Sequence, residues 1–418
     1  MIKKIETALE MAEKIGGKFG LNCIAELDLT AIEQAKNMAQ SGMENSLLYG
    51  VPILVKDNID VKGFHTTAGS VALEDNIACA DAPIIKNLRK NGAIILGKAN
   101  MTEFANYVTQ GMPDGYSSRG GQVIHAIHSQ ANPSGSSTGS AVAVSAGIVP
   151  MAVGTDTSFS IVACAQMNGI CGLKPPVGVL SYEGIIPIAR TLDSAGAMAR
   201  NFSDTLKLYS AMREKPFPEI RAASLKGLRI AINKANSNMV SNNQISFLNN
   251  TLNQLKKSGV MVDEITQMPT PYVRTIMRYE FKPMLEEYLK NATASRKTLA
   301  EIVEYYEAHP DTMMKYGNSY LRASLDETPD GLQSEEYCEA MKAREDMIGI
   351  VTNELAVYDA VIMTGPTNIM HFCGLPSVTF AGKTKNEFGV KQALIMYGLD
   401  EYRLYSAALT LEEILNAE

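Results

Sequence analysis

An α/β fold is expected: a single large domain whose mixed, mostly parallel β-sheet is covered by helices on both faces, with a helical cap beside it. Three observations predict it. Apolar strand-like runs alternate with amphipathic helical segments along most of the chain. Two of those runs, Leu48–Val55 and Ala93–Gly97, are almost wholly apolar, the pattern of strands buried on both faces. Neither an internal repeat nor a low-complexity linker interrupts the 418 residues, so they are expected to form one domain, 1–418.

The elements follow in order. Residues 1–45 read as two amphipathic helices, Ile2–Ile15 and Leu29–Ala39, joined by a Gly-rich turn and a short apolar strand. The α/β core is assigned to 50–265 and 358–418. Its first strand, ending at Val55, stops abruptly in Lys56-Asp57-Asn58 and so delivers Lys56 at its end. Asp81–Asn91 reads as a helix capped by Asp81, with Ile84, Ile85 and Leu88 on its apolar face. Between Asn132 and Pro175 lies a small-residue loop, Ser134–Ser140, and then an Ala/Val-rich run suited to a buried helix. A short strand, Met151–Val153, and a second small polar loop, Gly154–Ser160, complete this stretch. Helices at Phe202–Met212 and Ile245–Lys257 alternate with strands at Leu228–Ile232 and Val260–Ile265. From 266 to 356 the strands stop, and Tyr-, Met- and Glu-rich helical segments (Tyr279–Ala292, Leu299–Ala308, Glu335–Val357) form the expected cap. Tyr358–Met363 returns to the sheet, and a final helix closes the chain.

Composition narrows the function. Hydrophobic residues make up 46% and charged residues 20%, the balance of a globular protein with a full core. A net charge of -7 without a basic stripe argues against a nucleic-acid partner. The N-terminus mixes Lys and Glu at helical spacing and lacks a secretory apolar core, and no run reaches bilayer-spanning length. Neither a secretory leader nor a membrane anchor is therefore expected. Six scattered cysteines with no CxxC pair fit a reduced, cytoplasmic protein.

Several chemistries fail on their own requirements. A phosphate-binding loop needs a lysine directly before its Ser/Thr, and Gly139 precedes Ser140. No strand–GxGxxG–helix unit is present for a dinucleotide. A Ser-His-Asp hydrolase needs a placed histidine, and the five histidines (His65, His125, His128, His309, His371) are scattered. The His125/His128 spacing suits a metal, yet no acidic or cysteine companion lies near it. No metal and no cofactor is expected. What remains is a pair of serine-bearing loops and a strand-end lysine.

These residues carry a resemblance. Gly50-Val-Pro-Ile-Leu-Val-Lys56-Asp57-Asn58, Gly97-Lys98-Ala99-Asn100-Met101-Thr102-Glu103, Gly135-Ser136-Ser137-Thr138-Gly139-Ser140, Gly154-Thr155-Asp156-Thr157 and Gly172-Leu173-Lys174-Pro175 stand in order and at suitable spacing. Together with Pro366-Thr367 and Gly374-Leu375-Pro376 they resemble the amidase signature family. Gly115–Gln122 and Ile161-Val162 are closer to its peptide-amidase branch. The resemblance implies a Ser-cisSer-Lys triad with Ser160 as nucleophile, Ser136 as bridging proton relay and Lys56 as general base. It also implies a cis peptide between Gly135 and Ser136. Oxyanion donors would come from the loop of Thr157, Ser158 and Phe159 leading to Ser160. The chemistry is coherent, because a serine attacks an amide only when a base takes its proton, and a lysine is a base only when neutral. The implied reaction is hydrolysis of a carboxamide, either a C-terminal peptide amide or a small acyl amide, through a serine acyl-enzyme.

The chain departs from the family at two places. Phe159 stands where glycine usually precedes the nucleophile; a left-handed backbone there would strain it by about 1–2 kcal/mol. Its side chain is expected to fill part of the acyl pocket. Val162-Ala-Cys164 lacks the Arg and Pro that many members carry, which weakens a glutamine substrate. Two alternatives stay open. One is the A-type subunit of an amidotransferase, releasing ammonia from glutamine for a partner enzyme. The other is a catalytically weak, binding or acyl-transferring member, which Phe159 favours. The expected partner is a small-molecule or short-peptide amide, and a homodimer is the assembly considered.

Overall fold

The structure, a computed structural model, describes residues 1–417. Thirteen strands form: β1 (Ile24–Leu27), β2 (Val51–Lys56), β3 (Ala93–Ala99), β4 (Tyr116–Ser117), β5 (Gly121–Gln122), β6 (Met151–Asp156), β7 (Cys171–Lys174), β8 (Ser194–Ala199), β9 (Arg229–Asn233), β10 (Met261–Ile265), β11 (Ala360–Met363), β12 (Ser377–Lys385) and β13 (Lys391–Tyr397). β4 and β5 make a small hairpin; the other eleven form one sheet in the order β1-β3-β2-β6-β8-β7-β12-β13-β11-β9-β10. β1 and β10 are its edges. The sheet is mixed, as expected. Its parallel pairing is confined to two three-strand blocks, β3-β2-β6 and β11-β9-β10. The remaining six of its ten pairings are antiparallel. The reason is connectivity. β12 and β13 are joined by a tight turn, which only an antiparallel pair allows.

The continuous apolar runs have the cause anticipated for them. All seven residues of β3, all six of β6 and five of six in β2 are buried, because helices and loops cover both faces. One apolar core includes Ile53, Ile95, Val153, Leu208 and Leu411. A second gathers Phe104, Phe281, Leu285 and Tyr306 beneath the helical excursion, and a third includes Ile5, Ala8 and Val142 below the N-terminal helix. The small-residue run after Ser137 becomes the helix Thr138–Ser145, buried on every side through Val144. Small side chains permit that depth.

Several boundaries differ from the sequence expectation. The helix predicted from Asp81 begins at Pro83, where the fixed proline φ suits the first turn. Asp81 instead accepts the Lys62 N–H and pairs with Arg89. The strand predicted over Met151–Val153 continues to Asp156, since Thr155 and Asp156 pair with Ala195 and Ser194 of β8. Residues 266–356 are helical as expected, with long helices Val273–Asn291 and Glu335–Leu355. Tyrosine hydroxyls tie this excursion to the core: Tyr288 donates to Asp60 at 2.8 Å and Tyr306 to the buried Glu103 carboxylate. Among the described residues no helix is long and apolar enough to cross a membrane.

Gly139 shows how tightly the helix Thr138–Ser145 is seated. A Cβ there would lie 2.2 Å from the Asn100 carbonyl oxygen and 2.5 Å from that of Cys23, both backbone atoms. Gly139→Ala is therefore expected to destabilise the protein by about 3 kcal/mol, read as a lowered urea midpoint with an unchanged m-value.

Candidate active site

Three segments converge on one point. β2 ends in Lys56, whose side chain is fully buried. Its Nζ lies 2.8 Å from Ser136 Oγ, 2.8 Å from Thr155 Oγ1 and 3.2 Å from the Thr155 carbonyl oxygen. Ser136 Oγ is 3.0 Å from Ser160 Oγ. The structure thus brings Lys56, Ser136 and Ser160, chosen from the sequence, into one hydrogen-bonded chain. The Gly135–Ser136 peptide bond is cis. Burial drives the Lys56 ammonium down from 10.5 to about 7, although Cys164, Asp156 and Asp193 oppose the shift. A neutral amine there can accept one hydroxyl proton while its own two hydrogens serve Thr155.

The flanking small residues hold this geometry. Ser137 Oγ donates to the Thr155 carbonyl oxygen at 2.9 Å and accepts from the Thr155 N–H at 3.2 Å. Ser140 Oγ donates to the Val153 carbonyl oxygen at 2.9 Å, pinning the helix Thr138–Ser145 to β6. Gly135–Gly139 spells GxSxG, yet its central serine, Ser137, is committed to β6 and cannot act as the nucleophile of an elbow. Around Ser136 the Thr102 N–H donates to its carbonyl oxygen, and the Ser137 N–H donates to that of Ser160.

The loop before Ser160 is braced residue by residue. Asp156 Oδ2 accepts the N–H groups of Ile161 (2.7 Å) and Val162 (3.2 Å), folding the chain back into the helix Val162–Asn168. Thr157 Oγ1 donates to Asp193 Oδ1 at 2.5 Å, and Ser158 Oγ to Asn368 Oδ1 at 2.6 Å. The Phe159 N–H donates to His371 Nε2 at 2.9 Å. The N–H groups of Thr157, Ser158 and Ser160 have no acceptor among the described residues. Burial raises the Asp193 carboxyl to about 7, against the hydrogen bonds from Thr157, Ile188 and Ala189. Burial alone would raise Asp156 too. There the neighbouring His371 ring, the Lys174 ammonium and the Ile161 N–H outweigh it and hold the carboxyl low.

Phe159 takes φ = +70°, the left-handed region considered for it from the sequence. Its ring does not enter the space in front of Ser160. That space is a cavity of about 690 Å³ whose lining includes Tyr107, Thr157, Ser158, Ser160, Arg274 and Tyr320. The Phe159 ring packs on His371, with centroids 4.7 Å apart, and Phe159 lines an adjoining cavity of about 840 Å³ that shares Asn106, Gly135 and Ser158 with the first. Phe159 is thus absent from the lining of the first cavity and present in that of the second. His125 is likewise accounted for inside the fold: Nε2 lies 3.0 Å from the Met167 carbonyl oxygen, and Nδ1 accepts the Ile127 N–H. Sequence reasoning missed Asp193, Asn368 and His371. The one available signal was Phe159 itself, since a bulky residue in a left-handed loop calls for a partner.

Comparison with known proteins agrees with this architecture. A family model described as Amidase matches residues 5–400. The chain is 33% identical over 332 residues to a probable amidase of Arabidopsis thaliana, covering 72% of this chain and 62% of that one. It is 34% identical over 275 residues to the A-type subunit of a glutamyl-tRNA(Gln) amidotransferase from Sulfurisphaera tokodaii, covering 62% of this chain and 56% of that one. The matches thus span less than two thirds of these curated relatives. Among solved structures, the native peptide amidase of Stenotrophomonas maltophilia is similar with a TM-score of 0.88 at 27% identity, covering 99% of this chain and 93% of that one.

A lysine depressed from 10.5 to about 7 also has a stability signature. Between those values the unfolded chain binds the extra proton, so wild-type stability rises with pH across the window. Lys56→Met removes that dependence. Its stability relative to wild type is expected to grow by about 2 kcal/mol as pH falls from 9 to 7, measured by urea unfolding at each pH.

Proposed function

The chain belongs to the amidase signature family, and on that premise we propose that it hydrolyses a carboxamide through an acyl-enzyme on Ser160. The observation that carries this reading is the unbroken chain from Lys56 Nζ through Ser136 Oγ to Ser160 Oγ, at 2.8 and 3.0 Å. In the proposed sequence Ser160 Oγ attacks the amide carbon while its proton passes to Ser136, and the Ser136 proton passes to Lys56. The former carbonyl oxygen gains negative charge beside the N–H groups of Thr157, Ser158 and Ser160. Preorganised donors of this kind are each worth on the order of a hundred- to a thousandfold in rate. As the tetrahedral intermediate collapses, Ser136 returns a proton to the departing amine and recovers one from Lys56. Water, deprotonated along the same relay, then attacks the ester and frees the acid. Each proton removed from a nucleophile is given back, so no metal is required for the balance.

The cavity supports a substrate class. Tyr107 and Tyr320 stack at 5.5 Å, and the Arg274 guanidinium lies over Tyr320 at 4.9 Å, so one wall is flat and partly apolar. Arg278 and Glu336, paired with one another, also line the cavity. A small acyl amide or the amidated end of a short peptide suits a mixed wall of this size. The position of the Phe159 ring outside this cavity supports turnover over a binding-only role.

The reading is tested without knowing the substrate. A fluorophosphonate is expected to add once, at Ser160, as seen by intact mass and peptide mapping. The adduct is expected to be lost in Ser160→Ala and in Lys56→Ala. Ser136→Ala is expected to slow labelling by about 10²- to 10⁴-fold, the usual worth of a positioned proton relay. A folded wild-type protein that acquires no adduct between pH 6 and pH 9 would sink the proposal.

A further inference from the structure

A phenylalanine at φ = +70° needs a partner that holds it there. His371 is that partner, and it comes from far along the chain. It lies on the short helix Ile369–Phe372, is fully buried, and meets Phe159 twice. Its ring packs on the Phe159 ring, and its Nε2 accepts the Phe159 N–H at 2.9 Å. One residue before that helix, Asn368 takes the Ser158 hydroxyl at 2.6 Å. Two consecutive residues of the nucleophile loop are thus latched from the same distant segment.

The acceptor nitrogen of this latch has a second neighbour. Asp156 Oδ1 lies 3.0 Å from the same His371 Nε2. One ring nitrogen therefore faces both an N–H donor and a carboxylate acceptor, and it can serve only one of them at a time. With the ring proton on Nδ1, the Nε2 lone pair receives the Phe159 N–H. A proton on Nε2 turns that nitrogen into a donor; it then bonds Asp156 and opposes the Phe159 N–H. The Phe159 bond is made while Asp156 Oδ1 has no hydrogen-bond partner among the described residues, which is the geometry of the first state, with the Nδ1–H of that state also left without an acceptor among them. The charged groups acting on the ring are Asp156 from β6 and Lys174 from β7. Burial, aided by Lys174 and opposed by Asp156, lowers the pKa of the ring.

We propose that His371 is a positioning residue: its Nε2 holds the Phe159 N–H and so keeps the loop whose Thr157, Ser158 and Ser160 N–H groups are left to the substrate cavity, and protonation of Nε2 releases that hold. The proposal rests on the reading of Ser160 as nucleophile. It also explains how a bulky residue is tolerated before the nucleophile, because the histidine supplies ring contact and backbone acceptor together.

Two measurements on the full-length protein test it. In long-range ¹H–¹⁵N spectra of histidine-labelled protein at pH 8, His371 is expected as the Nδ1–H tautomer; an Nε2–H tautomer overturns the proposal. Fluorophosphonate labelling rates from pH 5 to pH 9 are then compared for wild type, His371→Leu and His371→Gln. Loss of the acceptor in His371→Leu is expected to slow labelling at pH 8 by about tenfold to a hundredfold, the scale of a misplaced reacting geometry. His371→Gln, whose amide oxygen can accept the N–H, is expected to recover most of that loss. At the acid end the wild-type rate should fall with two protons, one on Lys56 and one on His371, and the His371→Gln rate with one. Labelling in His371→Leu as fast as in wild type, or identical acid limbs in wild type and His371→Gln, overturns the proposal. If wild type shows the expected tautomer yet never labels, the hydrolase reading falls while the latch stands.

Discussion

A primary amine buried without a counter-ion is the constraint to which the surrounding structure answers. Among the described residues no carboxylate oxygen comes within ion-pair distance of Lys56 Nζ, and its neighbours are two hydroxyls and a carbonyl oxygen. Two other buried lysines make the contrast clear. Lys98 has the Asp57 carboxylate at 3.7 Å, which opposes without overcoming the lowering of its pKa by burial, and it donates to the His65 carbonyl oxygen and to Thr66 Oγ1. Lys174 is spent on the carbonyl oxygens of Pro175 and Leu375 and has no hydroxyl to exchange a proton with among the described residues. Of the three, Lys56 alone combines desolvation with a hydroxyl acceptor that leads onward. Keeping it so requires β2 to run between two buried neighbours, with the Ser134–Ser140 loop laid across its end.

A second demand is set against the first. Three backbone N–H groups beside Ser160 lack an acceptor among the described residues, although a loop left to itself would satisfy them. The fold meets this by fixing the loop through its side chains. Asp193 from one part of the chain, and Asn368 and His371 from another, hold Thr157, Ser158 and Phe159, while Asp156 fixes the turn beyond Ser160. Of these four bracing residues only Asn368 lines the cavity in front of Ser160; Asp156, Asp193 and His371 hold the loop from outside it.

Much of this was readable in the sequence, for physical reasons. Strands buried on both faces must be apolar throughout, so β2 and β3 announce themselves, and a lysine ending such a run stands out. A loop that lets backbone approach backbone must be small, so Ser134–Ser140 is conspicuous as well. What could not be read were contacts across long sequence separations. Nothing in Asn368-Ile-Met-His371 shows that it will brace residues some 210 positions earlier. The extension of β6 to Asp156 was hidden because Thr155 and Asp156 are polar. Their burial depends on β8 and on His371, which local pattern does not reveal. The displaced start of the helix at Pro83 has the same origin, since Asp81 is claimed by Arg89 and the Lys62 N–H.

The two edges of the sheet bear on how the protein behaves in crowded solution. An eleven-stranded open sheet presents two rows of unsatisfied backbone groups to which another chain could add. At β10 the row is guarded by Asp263 and Glu264, adjacent acids that pair inward with Arg229 and Lys234. A second β10 laid alongside would bring like charges together. At β1 the strand is short and its register slips between Ile24 and Glu26, while Glu26 binds the backbone and ring of His65. Neither edge offers a long, flat template, so the sheet resists growth into fibrils even though most of its interior is the kind of continuous apolar strand that would otherwise promote them.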